Sequence, residues 1–312
     1  MIGLNYRMIS PLSIIFMMGL MWIFFAGCHE NTRPDLDSPD KGTIHISVDE
    51  AFEPVIDSEI QVYEALHPGT KIIADYKPES ECFKDLIKDS TKMIIVTRVL
   101  TPQEEQYYKD SISISPTWAK IAFGAVAVIV NRDSPDSIFS TNDLKNILDG
   151  SSETKLVPVF DGLQQTSTLR YIMDSVLRGK PLDQKRVFAE KNSEAVINYV
   201  ANNKNALGFV GVSWIGNPED TTQLSFLTKV RIASIECNIC PEITFVKPYQ
   251  ANIMLMRYPM VQSLYYIIKE EYNGLASGFA HFMQFERGQL IFRRAYLWPA
   301  RMNFTIRNAN NY

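Results

Sequence analysis

Short apolar segments rich in β-branched residues alternate with segments of helical spacing, and this alternation limits the fold more than any other feature of the chain. Strands are predicted at 43–48, 71–76 and 93–97. A helix that begins near Pro54 and a shorter helix over 79–88 separate them. Strands that are joined by helices usually pair in parallel, so this order predicts a β-α-β-α-β unit of a doubly wound α/β domain.

The rest of the chain continues the alternation after an unusually apolar segment, 121–131. This segment is too continuous in apolar residues for a surface strand and predicts a buried strand that crosses between two domains. A helix capped by Ser140 or Thr141 follows it. Further strands are predicted at 156–160, 206–210, 243–256, 264–269 and 302–307, and further helices at 166–177, 193–203, 274–287 and from 289. Two linked α/β lobes explain this layout.

The first 27 residues have the pattern of a targeting segment. Arg7 is their single charged residue, and an apolar run leads to Ala26, Gly27 and Cys28. Small residues before a cysteine at the end of an apolar core resemble a bacterial lipoprotein signal peptide, with Cys28 as the lipidated residue. The alternative is an uncleaved anchor helix, although the run is short for a membrane span.

Residues 28–41 are polar and contain prolines, which predicts a flexible tether before a folded part that begins near Gly42. Either interpretation of the N-terminus predicts an exported protein that is attached to the cell envelope. Leaving out Arg7 reduces the 31 Lys and Arg to 30 against 35 Asp and Glu, a net charge of −5. This balance argues against a nucleic-acid partner, which would require clustered positive charge.

The sequence lacks the common enzymatic signatures, which are the Gly-rich phosphate loop, Gly-x-Gly-x-x-Gly, Gly-x-Ser-x-Gly and His-Glu-x-x-His. The chain has only four histidines, so few residues are available to form a hydrolytic triad or a zinc site. These are His29, His45, His67 and His281. No catalytic residue, metal site or cofactor is therefore predicted.

Cys237 and Cys240 lie three positions apart, a spacing that suits a redox disulfide or half of a metal site. No second pair completes a metal site, and this pair falls between strand-like segments rather than at the start of a helix. In an exported protein, a small structural disulfide or two buried thiols is the expected state. Cys82 is expected to be a core residue on the apolar side of its helix.

Three segments are placed where α/β lobes bind ligands, beyond the carboxyl ends of strands and at the starts of helices. They are 47–52, 78–80 and 164–168. Each segment alone also fits simple helix capping. Together with Thr97 and Arg98, at the end of the third strand, they predict a cleft between the lobes.

The order of these segments resembles the periplasmic phosphate-binding proteins of ABC importers, the PstS-like group with the type II periplasmic-binding-protein fold. The resemblance extends over most of 42–307 and depends on a collinear series rather than on one motif. The stretches that carry it are 84–104, with Val96-Thr97-Arg98-Val99-Leu100-Thr101-Pro102-Gln103-Glu104, then 125–131, 144–150, 206–211, Tyr258-Pro259 and 285–289.

This resemblance implies a two-lobed α/β protein with a ligand cleft between lobe 1 (42–120 and 246–312) and lobe 2 (121–245). It implies a monomeric, lipid-anchored solute-binding protein, not an enzyme, that captures phosphate or a related small oxyanion and delivers it to an ABC permease. The ligand-binding residues that it implies are Glu50, Ala51, Phe52, Glu79, Ser80, Thr97, Arg98, Gln165, Thr166, Ser167 and Thr168.

The ligand-binding turns differ from those of the family in their charge. Asp49-Glu50-Ala51-Phe52 replaces a turn rich in Ser and Thr, Pro78-Glu79-Ser80-Glu81 replaces Gly-Ser-Gly, and Gly162 stands where the family has an arginine. Carboxylates repel a phosphate dianion, which Arg98 and Arg170 would offset if they point inward. The carboxylates could instead select a ligand with an amine or a cation, or face the solvent at helix N-termini.

Two other functions remain open at this point. The first is an accessory or sensor lipoprotein of the same fold that has lost phosphate binding and recognises another ligand or a protein partner. The second is an exported enzyme, for example a hydrolase or a redox protein that uses Cys237 and Cys240.

Overall fold

The predicted alternation of strands and helices is present in the folded chain. The computed structural model describes residues 36–162 and 166–301. Its strands are β1 (Lys41–Asp49), β2 (Gly69–Lys77), β3 (Thr91–Val96), β4 (Thr117–Asn131), β5 (Ile138–Phe139), β6 (Val157–Phe160), β7 (Phe188–Ala189), β8 (Ala206–Gly211), β9 (Val230–Ile232), β10 (Ser234–Glu236), β11 (Phe245–Val246), β12 (Val261–Ile268) and β13 (Trp298–Pro299).

The helices cover the faces of the sheet formed by these strands. They are α1 (Glu53–Leu66), α2 (Glu79–Leu86), α3 (Pro102–Tyr107), α4 (Thr141–Leu148), α5 (Ser167–Tyr171), α6 (Ser193–Asn202), α7 (Thr221–Leu227), α8 (Gln250–Met254), α9 (Leu275–Gln284) and α10 (Glu286–Arg294). A π-helical turn extends α3 over Tyr108–Ile112, and another extends α5 over Ile172–Leu177. None of the helices in the described part of the chain combines the length and the apolarity that a membrane span requires.

The main sheet has the strand order β2-β1-β3-β12-β4-β8-β6-β7. The first lobe is built on β1, β2 and β3, which are parallel, and on β12, which is antiparallel to β3. The second lobe is built on β6, β7 and β8, which are parallel to one another. A small separate sheet contains β11, β10 and β5.

Strand β4 belongs to both lobes. Residues 117–125 pair with β12 of the first lobe, whereas residues 126–130 pair with β8 of the second. Its residues are buried from Gly124 to Asn131, which explains the continuous apolar run of the sequence. The predicted crossing strand is therefore present, while the residue boundaries given above for the two lobes stay a prediction.

The folded part begins earlier than the sequence suggests, because residues 37–40 pack on the first lobe. The Tyr63 hydroxyl donates a hydrogen bond to the Pro39 carbonyl over 2.6 Å. The Asp37 carboxylate accepts a hydrogen bond from the Leu275 N–H over 2.8 Å and another from the Tyr272 hydroxyl. The end of the predicted tether is thus attached to α1 and to the start of α9.

One predicted element is wrong, and two other predictions lie outside the described residues. The segment 243–256 is not a strand, because it contains the two-residue β11 and then α8 after Pro248. Ile243 is 82% exposed, so its apolarity does not mark a buried strand. The predicted strand at 302–307 and the predicted signal peptide with Cys28 are the two outside the described residues.

Cys237 and Cys240 form a disulfide that closes a short loop after β10. Reduction should lower the free energy of unfolding by about 2 kcal/mol, because a crosslink over a few residues removes little entropy from the unfolded chain. Urea unfolding with and without dithiothreitol measures this difference. The variant Cys237→Ala/Cys240→Ala is the control, and it should unfold at the same urea concentration in both buffers. A variant midpoint that still moves with dithiothreitol would assign the effect to Cys82, the free buried cysteine.

Candidate functional site

A cavity of about 210 Å³ lies between the two lobes, at the carboxyl ends of β1, β2 and β6. Its walls are mostly polar and include more acidic than basic side chains. They are Asp49, Glu50, Glu53, Tyr76, Lys77, Pro78, Asp161, Thr166, Lys191 and Asn192. This is the strand end at which open α/β lobes bind ligands.

A salt bridge connects the lobes beside this cavity. The Nε of Arg170, on α5, lies 2.7 Å from the Oε2 of Glu79, at the start of α2. Glu79 also accepts hydrogen bonds from the Thr97 N–H, over 2.8 Å, and from the Thr97 hydroxyl, over 2.6 Å. The Arg170 guanidinium donates a further bond to the Thr97 hydroxyl over 2.6 Å. The Glu79 carboxylate therefore accepts hydrogen bonds from an N–H, a hydroxyl and a guanidinium group, which are donors that could otherwise bind an oxyanion.

A second carboxylate joins the lobes at the start of α6. Glu50 accepts a hydrogen bond from the Ser193 N–H over 2.8 Å and another from the Ser193 hydroxyl over 2.7 Å. The backbone around Glu50 is held from the second lobe as well, since Trp214 Nε1 donates to its carbonyl over 3.0 Å. Negative charge at a helix N-terminus is stabilising. The acidic turn of the first lobe thus caps a helix of the second.

Four buried polar atoms around the cavity have no hydrogen-bond partner within the described part of the chain. They are the Asp49 Oδ2, the Asp161 Oδ1, the Ser167 Oγ and the Thr168 Oγ1. Ser167 lies beside Asp49 and Thr168 beside Asp161, but neither hydroxyl completes a hydrogen bond. Most buried polar atoms in folded proteins are hydrogen-bonded, so a group of unpartnered ones indicates a place for a ligand or for water.

The environment favours the neutral form of three carboxyl groups that line the cavity, those of Asp49, Glu50 and Asp161. Burial, and then the charge of Glu79, raises the pKa of Asp49 well above its usual value. Burial, followed by the charge of Asp161, raises the pKa of Glu50 to about 7. Burial raises the pKa of Asp161 to about 6, against the opposing effect of the Thr166 and Thr168 hydroxyls. Loss of hydration on burial therefore outweighs the hydrogen-bond donors that surround these three carboxyl groups.

The structure brings together part of the predicted ligand-binding set. Glu50 and Thr166 line the cavity. The backbone carbonyl of Ala51 accepts a hydrogen bond from the Ser213 hydroxyl. Phe52 is a buried core residue. Glu79 and Thr97 form the salt-bridge cluster, and Ser167 and Thr168 are fully buried beside the cavity carboxylates. Gln165 lies outside the described residues.

Arg98 and Ser80 lie in a different place from the rest of the set. The Arg98 guanidinium is paired with Glu104 over 2.8 Å and lies 3.8 Å from the centre of the Phe83 ring. Both residues line a surface groove beside α2 and α3. Arg170, rather than Arg98, is the arginine that offsets negative charge in the cleft.

The interpretation of Asp49 and Glu79 as solvent-facing residues at helix N-termini is wrong. Each is 2% exposed, because the second lobe covers it.

Gly162, which stands where the resembling family has an arginine, has a backbone conformation that disfavours an arginine. Gly162 has φ 147°, a conformation that residues with side chains rarely adopt, so an arginine at this position would be strained.

Asp161, Ser193 and Lys191 are site residues that sequence reasoning missed. Asp161 had a signal, because it directly follows the apolar strand 156–160 and so falls at the carboxyl end of the sheet. Ser193 and Lys191 had none beyond the start of a helix, since their role depends on a partner from the other lobe.

Comparison with known proteins places this geometry in a family. Residues 34–286 match the PBP superfamily domain. No curated protein gives a significant match in sequence. The fold is similar to that of a Clostridium perfringens protein crystallised with bound phosphate and assigned as a phosphate ABC transporter substrate-binding protein. The TM-score is 0.69 at 18% identity, and the alignment covers 83% of this chain and 100% of that one.

Two further solved structures show how widely this fold is used. An ABC-type phosphate transport receptor from Vibrio cholerae has a TM-score of 0.59 at 16% identity, with 83% of this chain and 100% of that chain covered. The regulatory domain of MetR, a LysR family regulator from N. meningitidis, has a TM-score of 0.52 at 10% identity, with 83% and 99% covered. At such low identities the likeness concerns the fold. The family match over most of the chain shows that the protein belongs to the PBP superfamily, with the two-lobed α/β fold of type II periplasmic binding proteins.

Proposed function

We propose that the protein is the solute-binding component of an ABC-type importer, and that it captures phosphate or a related small oxyanion between its lobes. In this proposal it is exported, held at the cell envelope by a lipid on Cys28, and acts as a monomer that delivers its ligand to a permease. Lobes of this fold close around a ligand by hinge motion and carry out no chemistry on it.

The observation that carries the proposal is the cavity between the lobes with its unpartnered buried polar atoms. Both lobes contribute to its walls, so a ligand there would bind to both and favour closure. Donors suitable for an oxyanion are the Lys77 and Lys191 ammonium groups, the Thr166 hydroxyl and the Asn192 side-chain amide. Charge-assisted bonds of this kind are among the stronger contacts to an oxyanion.

The arrangement of the described residues also favours binding over catalysis. His45 lies in β1, facing away from the core, whereas His67 and His281 line a groove on the first lobe. None of the three lies beside a nucleophile in the cleft.

Thermal unfolding of the purified protein, stripped of phosphate, tests the proposal. Phosphate at one hundred times its dissociation constant should stabilise the protein by about 2.7 kcal/mol, which raises the unfolding temperature by several degrees. Thr166→Ala should weaken this shift, because it removes a cavity hydroxyl. Thr166 also caps α5, so Ser140→Ala, which removes the cap of α4 outside the cleft, is the matched control.

The control variant should lose stability while it keeps the full phosphate shift. If the unfolding temperature of the unmodified protein does not move with phosphate, sulfate or organic phosphates, the oxyanion proposal is wrong.

A second candidate function is supported by the carboxylates that already occupy donors in the cleft. Glu79 takes the bonds of Thr97 and Arg170, and Glu50 takes those of Ser193. A protein whose own carboxylates replace the ligand would be an accessory or sensor module. In that case no small anion would stabilise the unmodified protein, whereas Glu79→Gln, which removes the internal charge, should create a measurable response to phosphate.

A further inference from the structure

We propose that the cavity between the lobes binds a small zwitterion, whose ammonium group contacts the carboxylates of Asp49 and Asp161 and whose phosphate-like oxyanion lies toward Lys191. This inference rests on the proposed function as a solute-binding protein and specifies the chemical class of the solute.

The side of the cavity formed by Asp49 and Asp161 requires hydrogen-bond donors. Asp49 is 2% exposed and Asp161 is 7% exposed, and both line the cavity. Each has one carboxylate oxygen without a hydrogen-bond partner among the described residues. An ammonium group supplies three donors and favours the ionised form of a carboxyl group beside it, so one such group would satisfy an oxygen of each residue.

The charge of the cavity walls leads to the same ligand class. Four acidic side chains line the cavity, and they are opposed by two lysines. One of these, Lys77, is already paired with Asp85 over 2.5 Å. An oxyanion without a positive group would meet net repulsion here, whereas a ligand that carries its own ammonium group would be attracted to the acidic side.

Two other lining residues of the cavity suit the oxyanion. Lys191 and the N-cap residue Asn192 line the cavity from the second lobe, and Lys191 is exposed, so its ammonium group can turn toward a ligand. The volume of about 210 Å³ corresponds to roughly seven water molecules at about 30 Å³ each. Inorganic phosphate has five non-hydrogen atoms, which leaves room for a short chain that ends in an amine.

An organic cation fits these residues better than a metal ion does. Within residues 36–162 and 166–301, no group of three or more His, Cys, Asp or Glu side chains is arranged to hold a metal. Two separated carboxylates with one open oxygen each suit the three directed donors of an ammonium group.

Calorimetry with two ligands of equal shape tests the inference on the purified full-length protein at pH 7.5. 2-Aminoethylphosphonate and propylphosphonate differ in one group, an ammonium in the first and a methyl in the second. We expect 2-aminoethylphosphonate to bind at least tenfold more tightly. Asp161→Asn should remove most of this preference, whereas Asp143→Asn, which removes an exposed carboxylate at the start of α4, should keep it.

The possible results separate this inference from the proposed function. Equal or tighter binding of propylphosphonate, or binding of inorganic phosphate alone, overturns the zwitterion and leaves the solute-binding function standing. Absence of binding by all three compounds, with the protein shown to be folded by its cooperative unfolding, overturns both. The comparison of the two ligands on the unmodified protein needs no variant, so it stays decisive even if Asp161→Asn fails to fold.

Discussion

Replacing Arg170 with methionine should lower the free energy of unfolding by about 3 kcal/mol, because it leaves the Glu79 carboxylate buried without its cation. The Glu79 side chain is 3% exposed and the Arg170 side chain 33% exposed, which places the cost at the lower end for a broken buried pair. Arg170→Met also removes the bond to the Thr97 hydroxyl across the cleft. Urea unfolding measures the loss.

Two further variants distinguish this cost from a general effect of removing charge. In Glu79→Gln/Arg170→Met neither position 79 nor position 170 carries an unpaired charge, so most of the lost stability should return. Lys84→Met breaks an exposed salt bridge, in which the Lys84 side chain is 62% exposed and the Glu81 side chain 47% exposed. This variant should change the free energy of unfolding by less than about 1 kcal/mol. If Arg170→Met costs no more than Lys84→Met, the salt bridge between the lobes does not stabilise the fold.

Lowering the pH from 8 to 5.5 should stabilise the protein, with about 2 kcal/mol contributed by Glu50 alone. Burial raises the pKa of Glu50 from 4.5 to about 7 in the folded state. Between these two values the folded protein binds a proton that the unfolded chain releases. The stabilisation is therefore complete below the unfolded pKa and is lost as the pH rises through about 7.

Other titratable groups add to this trend or lie outside its pH range. The pKa of Asp161, raised to about 6 by burial, acts in the same direction with a smaller effect in this range. The pKa of Glu104 is lowered to about 2, chiefly by its hydrogen bonds from Arg98, so this group stays ionised throughout. Glu104 therefore does not contribute to the change between pH 8 and 5.5.

Urea unfolding at a series of pH values checks the prediction. Glu50→Gln should stabilise the protein at pH 8 and remove most of the rise toward pH 5.5, because a neutral amide takes the place of the carboxylate. Glu81→Gln, at an exposed helix position, is the control and should keep the full slope. A profile of the unmodified protein that falls toward pH 5.5 would contradict the assigned burial of Glu50.

Most of the fold could be predicted from the sequence because its strands are buried. The apolar run at 121–131 and the β-branched segments at 43–48 and 93–97 correspond to β4, β1 and β3. Burial of both faces of a parallel sheet selects such continuous apolar segments. The predicted strand at 243–256 is wrong because apolar residues there lie at the surface, beside the disulfide, rather than in the core. Pro248 then ends the short strand β11.

The candidate site could be predicted in position but not in its contacts. The acidic turns at Asp49 and Glu79 were located from their places after strands. Their partners lie far away in the chain, since Glu79 and Arg170 are 91 residues apart and Glu50 and Ser193 are 143 apart. No local pattern encodes such pairs, because they exist only once the two lobes have come together.

The attachment of residues 37–40 has a mechanical consequence. These residues are held by α1 and α9, both in the first lobe, through Tyr63, Tyr272 and the Leu275 N–H. Any pull exerted through the preceding chain is therefore taken up by the first lobe, and the second lobe receives it through β4 and the side-chain contacts across the cleft. If the protein binds a solute as proposed, tension on the preceding chain would hold the first lobe in place, and the second lobe would rotate to release the solute.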